Sequence, residues 1–218
     1  IQSGGTLDTK RGALDVTGDY RIAAKNVNEY GEITWGTSGG YLKMTEAAAT
    51  VTVGGTFVTN SEKPHNSCLT AGTMYVAGDF YQYEPAVYQS NLNFKTSGAH
   101  KVVLNGTAVQ QVYLQSNDAV FTQLEIANEA GIAASGYFAA ASLTSPLEIV
   151  RIQSDHMMLR TLTVNAPSVE ITGEVTLVSD TVSLGVNKLK ISGDLIQSGG
   201  TLDTKRGTLE VTGDYRIA

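Results

Sequence analysis

The sequence predicts an all-β fold, a parallel β-solenoid of about nine coils of roughly 20–24 residues each. Three observations carry that expectation. A short phrase, apolar-x-apolar-x-Gly followed by an acid or small residue and a further apolar one, recurs along the chain. Its positions alternate apolar and polar, the period-two mark of a strand with one buried face. The phrases also stand too close for a strand plus a crossover helix, which needs about 30 residues, and no segment keeps a 3.6-residue period.

Taken in order, the phrase reads LDVTGDYRI from Leu14, VTVGGTFVT from Val51, MYVAGDFYQ from Met74 and VVLNGTAVQ from Val102. It returns as VEITGEVTL from Val169, LKISGDLIQ from Leu189 and LEVTGDYRI from Leu209, a spacing of 20 residues. Degenerate copies start at Leu124 (LEIANEAGI) and Leu147 (LEIVRIQ). The positions four and two before the glycine, and two after it, are apolar: Leu14, Val16 and Tyr20 in the first copy, Leu189, Ile191 and Leu195 in a late one. Stacked coils should align these side chains in interior ladders. Glycine at the bend permits a tight turn or close backbone approach. The right-handed form is expected, because crossovers between parallel strands nearly always take that hand. An antiparallel β-sandwich also alternates, but has no reason to keep a register of 20 residues. One gap departs from the period: Ala24 to Gly40 is an insertion between the first two phrases.

A second, longer repeat overlies the first. Residues 1–23 read IQSGGTLDTKRGALDVTGDYRIA and residues 196–218 read IQSGGTLDTKRGTLEVTGDYRIA, differing only as Ala13/Thr208 and Asp15/Glu210. The expectation is one solenoid domain over 1–218, with 1–195 one long unit and 196–218 the opening of the next. The chain then reads as a piece of a tandem protein, with targeting signals outside it. Adjacent units of that protein are its first expected partners, and exposed strand edges at the two ends predict end-to-end stacking.

Composition narrows the function classes. An apolar fraction of 42% with a net charge of −6 is neither disordered nor collagen-like. The acidic balance argues against nucleic acid and anionic membrane surfaces. No apolar run reaches the roughly 18–20 residues of a membrane span. Cys68 is the sole cysteine, so no intrachain disulfide forms.

The phrase GGTLDTKRGTLEVTGD resembles the Gly-Thr-Leu and Val-x-Gly-Asp repeats of large bacterial secreted and surface β-helix proteins. AHKVVLNGTAVQQVYL, Ala99 to Leu114, is similar to a segment that recurs in repetitive surface proteins of Gram-positive bacteria. The resemblance covers about half of the chain and carries over no catalytic or ligand residue. It implies an adhesin-like or fibrous role, outside the cell or on its surface. The expected function is a non-catalytic structural or adhesive segment, with host or cell-wall glycans or proteins as partners.

Several residue groups are weighed against that expectation. The acid after the glycine gives Glu174, Asp194 and Asp214 on successive coils, a carboxylate ladder that suits Ca²⁺, an ion of many oxygen ligands. No other cofactor is expected. Carboxylates on a solenoid face also suit a glycan lyase or hydrolase, yet these follow the structural period and no pair stands apart in a cleft. His65 and Cys68 share one irregular stretch, the residue types of a Cys-His pair. Thr50/Thr52 and Thr161/Thr163 do not share a coil position, which argues against a flat ice-binding face. The aromatics carry the alternative function, carbohydrate binding: Tyr75, Tyr81, Tyr83 and Tyr88 cluster in one segment, and Tyr30, Trp35 and Tyr41 lie in or beside the insertion. With Val76 and Phe80 inward, Tyr75, Tyr81 and Tyr83 point outward, where rings stack on sugars or anchor interfaces.

Overall fold

The computed structural model describes residues 1–85 and 92–218. Among these the chain is all strand and turn, a parallel β-solenoid of about eight turns without a helix. One face stacks Ala13–Val16, Thr50–Val53, Thr73–Val76, Lys101–Leu104 and Gln123–Ile126, all parallel. A second face stacks Tyr20–Ile22, Phe57–Thr59, Phe80–Gln82 and Gln110–Leu114. Leu14, Val51, Met74, Val102 and Leu124 stand in one column, as the phrase predicts.

In the C-terminal half the phrase changes ladder. Val169, Leu189 and Leu209 stack on one another. Through Val150 and Ile152 of Ile149–Val164, and then Ile132, their strands continue the second face rather than the first. Two residues separate Val76 from Asp79 at the corner, whereas Asn105–Val109 separate Leu104 from the strand Gln110–Leu114. Gln123–Ile126 still stacks on Lys101–Leu104, so the change falls after it, where Ile132 stacks on Gln110 and Ile152 on Ile132. The copy expected at Leu147 is accordingly displaced: Leu147 lies in a bend, and Val150 and Ile152 occupy the rung positions of Val169 and Ile171.

The interior of the N-terminal half carries a cluster of aromatic rings. Phe57, Phe80, Phe94 and Phe121 are each at most 1% exposed. Phe80 packs against Phe57, Phe94 and Phe121 at centroid distances of 5.0, 4.8 and 5.1 Å. Such contacts add about 0.5–1.5 kcal/mol each beyond area burial. Aliphatic residues take over further on, where Ile132, Ile152, Ile171 and Ile191 form one column.

Two devices close the corners. Gly78 lies directly over Gly55, and a Cβ there would overlap the Gly55 carbonyl. The other device is the acid that follows the glycine. The Asp79 carboxylate accepts from the Gln111 N–H of the next rung at 2.8 Å, and Asp194 accepts from Asp214 N–H at 2.8 Å. Backbone groups at a bend lose their ladder partners, and the carboxylate replaces one.

Candidate functional site

The insertion folds as a hairpin. Ala24–Val27 pairs antiparallel with Ile33–Gly36. Its turn is held by the Asn28 side chain, whose Oδ1 accepts from the N–H groups of Tyr30 and Glu32 at 3.0 and 2.9 Å. Tyr30 at the tip is 81% exposed. Trp35 on the return strand leans on the solenoid, with the Arg21 guanidinium 4.8 Å from its ring centroid.

Hairpin and second face enclose a cleft of about 300 Å³, lined by Arg21, Trp35, Asn60, Tyr83, Glu84 and Gln115 among others. Its floor includes Val58, which is buried, in register between Arg21 and Tyr81. Asn60 Oδ1 is buried there without a hydrogen-bond partner among the described residues. Beside the cleft, Tyr81 and Tyr83 stack at 6.0 Å with 14° between their planes, and Tyr83 meets Tyr113 at 5.7 Å. The Tyr81 hydroxyl donates to Asp79 at 3.1 Å. Burial, with the Asp79 charge beside it, pushes the Tyr81 phenol up to about 12. Aromatic faces with amide, guanidinium and carboxylate groups at their edges can pack on a ligand's apolar face and hydrogen-bond its rim.

Trp35, Tyr81 and Tyr83 thus come together, the latter two pointing outward as expected. Tyr30, Tyr75 and Tyr41 do not join them. Tyr75 sits on the outside of the first face between Thr52 and Val103. Tyr41 pairs with Thr6 and meets the His65 ring edge-on at 6.1 Å. Tyr88 lies outside the described residues. Arg21 and Tyr113 were missing from the expected set. Alternation in QQVYL places Tyr113 outward between buried Val112 and Leu114, a signal that was present.

Two of the three carboxylates named as a calcium ladder, those of Asp194 and Asp214, have other partners. Asp194 caps the Asp214 N–H, and Asp214 pairs with Arg216 at 2.5 Å. The Glu174 backbone carbonyl accepts from the Ser154 hydroxyl. No group of three or more His, Cys, Asp or Glu among the described residues is arranged to hold a metal ion. His65 is 1% exposed; its Nε2 accepts from Leu42 N–H at 3.2 Å and its Nδ1 faces the Lys63 carbonyl at 3.1 Å. Both ring nitrogens are engaged by backbone, so the ring does not serve Cys68 as a base. Glu129, Glu148 and Arg151 line a separate open depression of about 340 Å³.

No protein-family model, curated protein or solved structure matches the chain. Among the described residues no helix is long and apolar enough to cross a membrane.

Proposed function

We propose that the chain is a non-catalytic structural segment of a tandemly repeated bacterial surface protein, a rod that spaces or displays other parts outside the cell. The supporting observation is that the two near-identical segments fold alike at opposite ends of the rod. Gly5 and Gly200 have φ of 72° and 68°, and Lys10 and Lys205 have φ of 48° and 47°. The Tyr20 hydroxyl donates to Gln2 Oε1 at 2.6 Å, and the Tyr215 hydroxyl to Gln197 Oε1 at 2.5 Å. A repeat array requires this: the rung that ends one unit has the geometry of the rung that begins the next. Asp19, Asp79 and Asp194 of the phrase support a non-catalytic role, since each caps a backbone N–H in the neighbouring rung. The test is a fusion of residues 1–195 to the full chain. Small-angle scattering should show a rod of about twice the length, unfolding in one transition. Two independently tumbling bodies would overturn the reading.

A second reading, an adhesive or carbohydrate-binding role, is favoured by the cleft between Trp35 and Tyr83. A glycan array with the full chain, and with Trp35→Ala and Tyr83→Ala, decides it. Binding lost in both variants supports it, and an empty array removes it.

A further inference from the structure

A buried polar network lies behind the cleft. Gln82 and Asn93 are both 0% exposed, in an interior filled mostly by apolar side chains. Gln82 Nε2 donates to Asn93 Oδ1 at 2.9 Å, and Gln82 Oε1 accepts from Ser116 N–H at 2.8 Å. Asn93 Nδ2 donates in turn to the Tyr83 carbonyl at 2.7 Å. Tyr83 N–H donates to the Thr59 carbonyl at 2.9 Å, and Glu84 N–H to Gln115 Oε1 at 2.8 Å. Beyond the strand Phe80–Gln82, two side chains and one carbonyl thus hold Tyr83 and Glu84 in place. Burying amides is costly unless they are partnered. Here the partnering fixes two residues that line the cleft. The floor is also unusual: Val58 stands in the outward column between Arg21 and Tyr81, yet it is apolar and 4% exposed.

The two charges that line the cleft are not balanced alike. Arg21 pairs with Asp19 at 2.7 Å. Glu84 is exposed and has no ion pair among the described residues. Lys25, in register with Trp35, does not line the cleft. Two groups are left unfilled, the Glu84 carboxylate and Asn60 Oδ1, and both accept hydrogen bonds. An occupant should therefore donate, and should carry positive charge. Trp35 and Tyr83, 40% and 37% exposed, supply ring surface that attracts an ammonium group.

We infer that the cleft takes an amino sugar, with its protonated amine set against Glu84 and its ring against Trp35 and Tyr83. The inference rests on the carbohydrate reading of the cleft and names the class of sugar. A cleft of about 300 Å³ is at the small end of ligand sites and suits one ring with its substituents. An N-acetylated sugar would bring no charge to Glu84, and an acidic one would be repelled by it. A lysine side chain would bring the charge but no ring to lie against the aromatic faces.

Titration calorimetry of the full chain with tetramers of glucosamine, of N-acetylglucosamine and of lysine tests this, at about pH 6.5 where amines are charged. The glucosamine tetramer should bind about tenfold more tightly than either of the others. Glu84→Gln should lose that margin with Tm unchanged, since the position is exposed. Equal or tighter binding of the acetylated tetramer overturns the inference; if that binding is lost in Trp35→Ala, the carbohydrate reading still stands. Lysine binding as tight as glucosamine would show charge attraction alone and overturn it too, as would a margin that Glu84→Gln leaves intact. Failure of every sugar to bind removes both the inference and the reading beneath it.

Discussion

The Asp19 carboxylate accepts a hydrogen bond from the backbone N–H of Thr56, the residue one turn on and directly in register, at 2.8 Å. That bond is the main cause holding the Asp19 carboxyl below the usual carboxylate range, with the Arg21 guanidinium assisting against some burial. Asp79 and Asp194 repeat the geometry at other corners. The Gly-Asp pair of the phrase is thus one device, a close corner plus a clamp to the next turn.

The clamp predicts a graded mutant series. Asp79→Ala removes the acceptor of the solvent-exposed Gln111 N–H and should cost about 0.5–1.5 kcal/mol in urea unfolding. Asp79→Asn keeps an acceptor and should cost less than half as much. Asp15→Ala, at an exposed position with no such bond, should stay within about 0.5 kcal/mol. Equal losses at Asp79 and Asp15 would refute the clamp.

Gly78→Ala tests the corner itself. The added methyl overlaps the Gly55 backbone, which belongs to a neighbouring rung and has no side chain to swing aside. A loss of about 1–3 kcal/mol is expected, comparable to overpacking a core. Gly4→Ala, with nothing within 4 Å of its added Cβ, is the control and should be near neutral. Thermal melts of the two variants decide the comparison.

Acid should weaken the fold before the carboxylates titrate. Burial depresses both His65 and His100 from 6.5 to about 4. His100 has no hydrogen-bond partner on either ring nitrogen among the described residues, and His65 accepts a backbone N–H. The folded state therefore holds both rings neutral while the unfolded state protonates them. Stability is full above about pH 6.5 and falls as pH drops toward 4, by roughly 3 kcal/mol per histidine at about 1.4 kcal/mol per pH unit. His100→Leu should flatten the pH profile of Tm in that window. A wild-type Tm constant from pH 7 to 4.5 would contradict the buried neutral rings.

Calcium should leave Tm unchanged. Asp194 and Asp214 already serve the Asp214 N–H and Arg216. A Tm rise in millimolar Ca²⁺ that Asp194→Ala abolishes would restore the carboxylate ladder as a binding site.

Read alone, the sequence determined the strands, their inward residues and the solenoid class, because period-two alternation and a corner glycine are local properties of the chain. It also marked Ala24–Gly40 as an insertion and set Tyr81 and Tyr83 outward. Tertiary structure alone decided which ladder each phrase joins. That is set by the pairing of successive turns, in which Val169 stacks on Val150 rather than on a copy at Leu147. It also alone brought Trp35 and Arg21 to Tyr83 and Tyr113, residues that are distant in the chain and become neighbours only when successive turns stack. The acids show the same division. Their recurrence was legible, but a carboxylate that binds an ion and one that caps an amide in the next rung look alike until the amide is placed 2.8 Å away.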